Sequence, residues 1–109
     1  MNFSVKTIPK FDREIKKLAA KYHSLKEEYI LLIESLSETP IQGVSLGNNC
    51  YKIRLSIKSK GKGKSGGARV VAYVQIEGKT VYLLTIFDKN EKENIADNEL
   101  KELLKFIPN

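Results

Sequence analysis

The stretch that decides the fold is "YKIRLSIKSKGKGKSGGARVVAY", residues 51–73, because it holds two strand patterns and the basic loop that joins them. In residues 51–58 apolar side chains alternate with Lys, Arg and Ser, which is typical of a strand with one face in the core and a basic face turned away. Residues 69–76 are apolar on both sides and predict a central strand. We therefore expect an antiparallel hairpin with a basic connection.

The loop contains Gly63-Lys64-Ser65, three letters shared with nucleotide-binding P-loops. A P-loop needs another glycine five positions before Gly63 and a helix directly after the motif. That position holds Lys58, and the residues that follow predict a strand, which excludes a P-loop. The loop is also far more basic than a glycine-serine linker. Four lysines are candidates for contacts with phosphate groups: Lys58, Lys60, Lys62 and Lys64.

Two helices are predicted before this hairpin. Residues 3–8 alternate as a short first strand and end at Pro9, and from Lys10 the apolar residues recur at helical spacing. Ser24 followed by Glu27 matches a capping box, which predicts that a second helix begins there and ends before Thr39. The connection over residues 39–49 is rich in turn-forming residues, and we predict no strand in it.

After the central strand, residues 77–80 predict a tight turn and residues 81–87 another apolar strand. Asp97 is the predicted N-cap of a last helix over residues 98–107. The order is strand, two helices, three strands, helix. It predicts one α+β domain over residues 1–109, with an antiparallel sheet, an N-terminal helical hairpin packed on one face and a short C-terminal helix.

The net charge of +6 is concentrated in the middle of the chain. Residues 39–76 hold 7 Lys or Arg and no Asp or Glu. Residues 1–38 hold 7 basic and 6 acidic residues, and residues 77–109 hold 5 basic and 7 acidic residues. A basic segment between nearly neutral ones favours a polyanionic partner, with nucleic acid the leading candidate, although a solvated loop that aids solubility would give the same charge.

Other function classes are disfavoured by composition. The single Cys50 cannot form an internal disulfide or a zinc site alone, which favours a reducing cytoplasm. No apolar run has the length of a membrane span, and the N-terminus lacks the apolar block of a signal peptide. No set of His, Cys or carboxylate residues has the spacing of metal ligands, so we predict neither a metal nor a cofactor.

The order of elements, the glycine-lysine loop ending in Gly-x-Arg and the strand ending in Asp-Lys-Asn-Glu resemble the RelE/ParE superfamily of bacterial toxins, and within it the HigB-like branch of RelE. The resemblance implies a RelE-like fold and the toxin of a type II toxin–antitoxin pair. RelE members cut messenger RNA in the ribosomal decoding site without a metal. It also implies the ribosome, the message and a cognate antitoxin as partners, the last carrying an acidic or amphipathic segment.

The same resemblance indicates which residues carry out the chemistry. Lys52 and Arg54 stand on the strand where the family carries basic residues that point into the cleft. Arg69 stands where the family has the arginine that opens the central strand, and it is the first candidate for stabilising the transition state. Lys89 falls where RelE members have an arginine. Clustered cations stabilise the charge that grows on the phosphoryl oxygens, and they can also make a neighbouring lysine a better base.

One departure leaves other functions open. Some RelE members have a tyrosine near the C-terminus that stacks on the substrate base, but here no aromatic residue lies between Phe87 and Phe106, and the corresponding place is near Ile95. A ParE-like inhibitor of DNA gyrase without nuclease activity is one alternative. A decayed toxin that only binds its antitoxin is the other.

Overall fold

The computed structural model describes residues 2–61 and 66–108, and these contain five strands, three α-helices and one short 3-10 turn. In chain order the elements are β1 (Ser4–Thr7), α1 (Pro9–Lys21), α2 (Leu25–Glu38), β2 (Val44–Gly47), β3 (Cys50–Leu55), the 3-10 turn (Lys58–Lys60), β4 (Ala68–Gln75), β5 (Thr80–Asp88) and α3 (Asp97–Leu104). The α+β class predicted from the sequence is confirmed.

The strands form one sheet in the order β1-β5-β4-β3-β2. Strands β3, β4 and β5 are an antiparallel meander, as predicted. The sheet is mixed rather than wholly antiparallel, because β1 runs parallel to β5. Parallel pairing requires a long crossover between strands. The two helices that follow β1 begin such a connection.

Strand β2 lies in the connection where we predicted no strand. It pairs with β3 at the edge of the sheet, and Val44, opposite Lys52, is 60% exposed. A four-residue edge strand without a buried face gives almost no alternating pattern in the sequence. Gly43 allows the close approach to β3: its φ is +87°, and a Cβ there would lie 2.2 Å from the carbonyl oxygen of Lys52.

The core lies between the helical hairpin and the sheet. Strand β5 is buried along its whole length, and the hairpin contributes fully buried side chains such as Phe11, Leu25 and Leu36. Helix α1 is also held to β5 by a polar contact, since Glu14 Oε1 accepts hydrogen bonds from the Thr85 hydroxyl (2.6 Å) and the Ile86 amide (3.3 Å). This packing gives the outer β3, β4 and β5 residues fixed positions.

The predicted capping box at the start of α2 is wrong. The second helix does begin after Ser24, its N-cap, but Ser24 has helical backbone angles and its side chain makes no cap hydrogen bond. The Ser24 hydroxyl lies 2.9 Å from the Ser59 hydroxyl. The two serines exchange hydrogen bonds, from the Ser24 amide to Ser59 Oγ (3.2 Å) and from the Ser59 amide to Ser24 Oγ (2.9 Å). The cap is therefore supplied by the 3-10 turn, a distant part of the chain that a local motif does not reveal.

Two element ends also differ from the predictions. Strand β3 ends at Leu55, although Ile57 is still extended, and the 3-10 turn begins at Lys58. Ala96, not Asp97, is the N-cap of α3. The helix ends at Leu104 instead of Ile107, and beyond it the backbone forms turns whose hydrogen bonds span three residues, such as that from the Ile107 amide to the Leu104 carbonyl (3.2 Å). In the described part of the chain, no helix is long and apolar enough to cross a membrane.

Candidate nucleic-acid interface

Basic side chains lie side by side on β3 and β4. Arg54 and Arg69 are direct partners in the antiparallel register, so their side chains leave the same face of the sheet. Lys52 is two positions before Arg54 and shares this face, whereas Ile53 between them is buried on the other. We call Lys52, Arg54 and Arg69 the basic row. The structure brings these three predicted site residues together.

The members of the row differ in exposure. Arg54 is exposed and Lys52 is half-buried, but Arg69 is only 3% exposed, and its Nη1 donates a hydrogen bond to the Ala68 carbonyl (3.1 Å). A guanidinium stays charged when it is buried, and its field is screened less than that of a surface cation. Arg54 is thus placed to touch an anion, and Arg69 adds positive potential from below.

The segment after β5 passes over this face of the sheet. Lys52 Nζ donates a hydrogen bond to Asn94 Oδ1, and Lys92 Nζ lies 5.0 Å from the ring centre of Phe87. Phe87 is the register partner of Arg69 on β5, so both contacts are made on the side of the basic row. The segment therefore lies on the same face of the sheet as Arg69.

Lys89, the fourth predicted catalytic residue, directly follows β5. Its Nζ lies 3.6 Å from Glu93 Oε1 at the surface, and its amide donates a hydrogen bond to the Gly67 carbonyl (3.1 Å). The ion pair is exposed enough that the ammonium is free to exchange this partner for a phosphate at little cost. The backbone bond places Lys89 beside the start of β4, two residues from Arg69.

The lysines of the loop do not share one environment. Lys58 is exposed at the start of the 3-10 turn, whereas the Lys60 side chain is only 5% exposed. Lys62 and Lys64 lie outside the described residues. Only Lys58, of the loop lysines within them, is placed for contact with a polyanion.

The turn that carries Lys58 and Lys60 is bound to the start of α2. Besides the two serines, Glu28 takes part: its Oε2 accepts the Lys58 amide (2.7 Å) and its Oε1 accepts the Ser24 hydroxyl (3.1 Å). Glu28 is 9% exposed, so these bonds form away from bulk water. The base of the basic loop is thereby fixed to the helical hairpin.

Sequence reasoning missed Asp88, the acceptor for Lys60. Lys60 Nζ lies 2.6 Å from Asp88 Oδ1, and Asp88 Oδ2 accepts the Tyr22 hydroxyl at 2.6 Å. Burial alone would raise the pKa of the Asp88 carboxyl, but hydrogen bonds from Lys60, Tyr22 and the Asn90 amide lower this pKa to about 2. A carboxylate closing a long apolar strand is the one signal that the sequence offered.

The described residues near the basic row contain few groups for acid–base chemistry. His23 is exposed at the junction of α1 and α2, on the hairpin, and Asp88 is engaged by Lys60. Of the predicted catalytic residues, Lys52 and Lys89 are the two that carry amines. Within residues 2–61 and 66–108, no group of three or more His, Cys, Asp or Glu side chains could hold a metal ion.

An open groove runs beside the basic row where β2 meets β3. It has a volume of about 560 Å³, and its lining includes Lys52 and Arg54 together with residues of the connection to β2: Gln42, Gly43 and Val44. The volume is within the usual range for small-ligand sites. A single nucleotide is of suitable size and charge for this groove.

Comparison with models of known protein families shows to which family the chain belongs. A family model described as the RelE toxin of the RelE/RelB toxin–antitoxin system matches residues 9–107. The chain belongs to the RelE toxin family. The family predicted from the basic loop and the strand order is thus confirmed, while its HigB-like branch stays a prediction.

Solved structures of RelE toxins share this fold. A mutant of the E. coli toxin RelE in the free state is 21% identical, with a TM-score of 0.65 over 99% of this chain and 100% of that one. The toxin–antitoxin complex RelBE2 of Mycobacterium tuberculosis gives 15% identity and a TM-score of 0.58, over 81% of this chain and 99% of that one. The intact E. coli RelBE toxin–antitoxin complex gives 22% identity and a TM-score of 0.51, over 79% of this chain and 95% of that one. The RelE-like fold is confirmed.

The place near Ile95, where the resemblance to RelE would put an aromatic residue, is structurally defined here. Ile95 is half-buried against the core, and Ala96 is the N-cap of α3. Neither side chain offers a π-face for stacking on a base. The ring nearest to the basic row along β5 is Phe87, which is 8% exposed and already covered by Lys92.

Proposed function

We propose that this RelE-family chain is the toxin of a type II toxin–antitoxin pair and that it cuts messenger RNA in the ribosome without a metal. The observation that carries the proposal is the register pairing of Arg54 with Arg69 on one face of the sheet, with Lys52 beside them. Like charges that face each other directly on a sheet repel, and a phosphate bound beside them would reduce that repulsion. The pairing therefore supports a phosphate site at this place.

In the proposed reaction the 2′-hydroxyl of the message attacks the adjacent phosphate. The oxygen loses its proton, the pentavalent phosphate gains negative charge, and the departing 5′-oxygen takes up a proton. Arg54 would contact the phosphoryl oxygens, and Arg69 would stabilise the same charge from below the surface. We assign proton transfer to the amines of Lys52, in the basic row, and of Lys89, which follows β5.

Contact with the RNA backbone is proposed for Lys58 and for Lys62 and Lys64 of the loop. Lys58 is exposed beside Arg54, and the two residues line one groove between β3 and α2. Each lysine that neutralises a phosphate of a single strand should steepen the log–log dependence of affinity on salt by about 0.7. The same surface would contact ribosomal RNA.

The partner and location follow from this proposal. We expect a cognate antitoxin with an acidic or amphipathic segment that covers the basic row and keeps the toxin inactive. The site of action would be the cytoplasm, where translating ribosomes are found. We also propose that the chain belongs to the HigB-like branch, on the basis of the glycine-lysine loop and the Asp-Lys-Asn-Glu sequence that begins at the last residue of β5.

The test is controlled expression of the wild type, Arg69→Ala and Arg54→Ala, with transcript ends mapped and growth recorded. Lys105→Ala is a matched control, because Lys105 is an exposed cation that pairs with Glu102 on α3. We expect growth arrest with cuts inside translated codons for the wild type and the control, and loss of both in the arginine variants. Circular dichroism and urea denaturation of each purified variant establish that it is folded.

Other outcomes would overturn the proposal in identifiable ways. Arrest with DNA damage and intact transcripts would indicate a ParE-like inhibitor of gyrase. A folded wild-type protein that binds its antitoxin without arresting growth would indicate a decayed toxin, an outcome that the missing aromatic residue near Ile95 makes worth testing.

A further inference from the structure

We propose that Lys60 is a positioning residue, which fixes the start of β4 and the end of β5 beneath the basic row, and that it does not contact RNA. This inference deepens the proposed function and rests on it for its catalytic part. It concerns a lysine that charge and sequence context assign to the RNA-binding loop, but which the structure buries.

The first argument is the hydrogen-bond capacity of the Lys60 ammonium. It has three protons, and three acceptors lie within reach: the Gly66 carbonyl (2.6 Å), the Gly67 carbonyl (3.1 Å) and Asp88 Oδ1 (2.6 Å). With all three protons donated to the protein and a side chain only 5% exposed, the group has none left for a phosphate.

The second argument is what these acceptors hold in place. The Gly67 carbonyl also accepts the amide of Lys89 (3.1 Å), and Ala68 is the register partner of Asp88. Lys60 thus links the 3-10 turn to the start of β4 and to the end of β5, next to Arg69 and Lys89. A Cβ on Gly67 would lie 2.0 Å from the Leu55 carbonyl oxygen, so this backbone is also packed tightly against β3.

The third argument is the side of the sheet on which the contact lies. Asp88 Oδ2 accepts the hydroxyl of Tyr22, the residue that ends α1, so Asp88 and Lys60 are on the side of the helical hairpin. Arg69 follows Ala68 by one residue and therefore points to the opposite face. Lys60 supports the basic row from behind, and its loss should change the geometry of the row rather than its charge.

The experiment compares Lys60→Met with Lys58→Met, which removes an exposed lysine of the same turn. Cleavage of messages on ribosomes gives kcat and KM, and binding of a single-stranded RNA oligonucleotide at several salt concentrations gives the salt slope. For Lys60→Met we expect kcat to fall about 100-fold, with KM and the salt slope unchanged. For Lys58→Met we expect the slope to fall by about 0.7. Lys105→Ala, which lies outside the proposed RNA surface, is the control that should keep the wild-type kcat.

Hydrogen exchange gives a readout that does not depend on activity. In Lys60→Met the Lys89 amide should exchange at least tenfold faster than in the wild type, while core amides of β4 remain protected. If Lys60→Met does not fold, Lys60→Met combined with Asp88→Asn removes both buried charges and should show the same changes in kcat and in Lys89 exchange. A wild type without cleavage would refute the proposed function, and the exchange measurement would still decide whether Lys60 holds Lys89.

The inference is overturned if Lys60→Met lowers the salt slope as Lys58→Met does while kcat stays at the wild-type value. It is equally overturned if the folded variant matches the wild type in kcat and in Lys89 exchange.

Discussion

The Lys60 ammonium and the Asp88 carboxylate lie 2.6 Å apart with side chains that are only 5% and 1% exposed. They are 28 positions apart in the sequence, and their contact joins the turn at the base of the basic loop to the end of the last strand. The remaining carboxylate oxygen accepts the Tyr22 hydroxyl, so the pair also includes the end of α1. Three separate parts of the chain meet at one buried ion pair.

Removing one charge of this pair should destabilise the fold. In Asp88→Asn the Lys60 ammonium stays buried without its counterion, and we expect the free energy of unfolding to fall by about 3 kcal/mol. Urea denaturation of the purified toxin measures it. Lys60→Met combined with Asp88→Asn leaves no unpaired charge and should lose less than Asp88→Asn alone. Equal stability of wild type and Asp88→Asn would contradict a structural role for the pair.

The same carboxylate should make stability depend on acid pH. The pKa of Asp88 is lowered from 3.8 to about 2 in the folded chain, so its contribution is complete above about pH 4 and is lost as the pH falls towards 2. The shift corresponds to about 2 kcal/mol. In the wild type, urea midpoints at pH 7, 4 and 2 should fall by the amount that corresponds to this contribution of Asp88 to the free energy of unfolding. A parallel pH profile in Asp88→Asn would count against it.

The hairpin of β3 and β4 could be predicted from the sequence because its pattern is local. Ile53 is buried between Lys52 and Arg54, and that alternation alone specifies a strand with one basic face. The catalytic roles of Lys52, Arg54 and Arg69 were predicted from the resemblance to RelE, because the alternation shows only that Lys52 and Arg54 share a basic face. Their proximity follows from antiparallel pairing.

What the sequence could not reveal depends on distant partners. A lysine among glycines has the pattern of a solvated loop, and the burial of Lys60 depends on Asp88 at the end of another strand. Ser24 matched a local capping motif, yet its amide is capped by Ser59 from the turn. In both cases a side chain from elsewhere in the chain competes with the local pattern, and only the tertiary fold determines the result.

The reciprocal bonds of Ser24 and Ser59 should be measurable as a coupling. Each serine accepts the amide of the other, so we expect Ser59→Ala and Ser24→Ala each to lower the free energy of unfolding by about 1 kcal/mol. Their double variant should lose less than the sum, because the second substitution removes a contact already broken. Strict additivity in urea denaturation would show that the two hydroxyls act independently.

Arg54 offers the cleanest test of the basic row, because it is the exposed member of the Arg54–Arg69 pair and its truncation should leave the fold intact. For Arg54→Ala we expect the free energy of unfolding to stay within about 0.5 kcal/mol of the wild type. If Arg54 stabilises the transition-state charge as proposed, its loss should lower kcat for ribosome-bound message by about 100-fold or more.

Arg54→Lys separates charge from geometry at this position. Lysine retains the positive charge but lacks the planar fork that binds two phosphoryl oxygens at once, so kcat should lie between those of the wild type and Arg54→Ala. Lys105→Ala, which removes an exposed cation at the C-cap of α3, should cleave like the wild type. If Arg54→Ala and Lys105→Ala lowered kcat equally, the effect would come from net charge, and the row would have no specific role in cleavage.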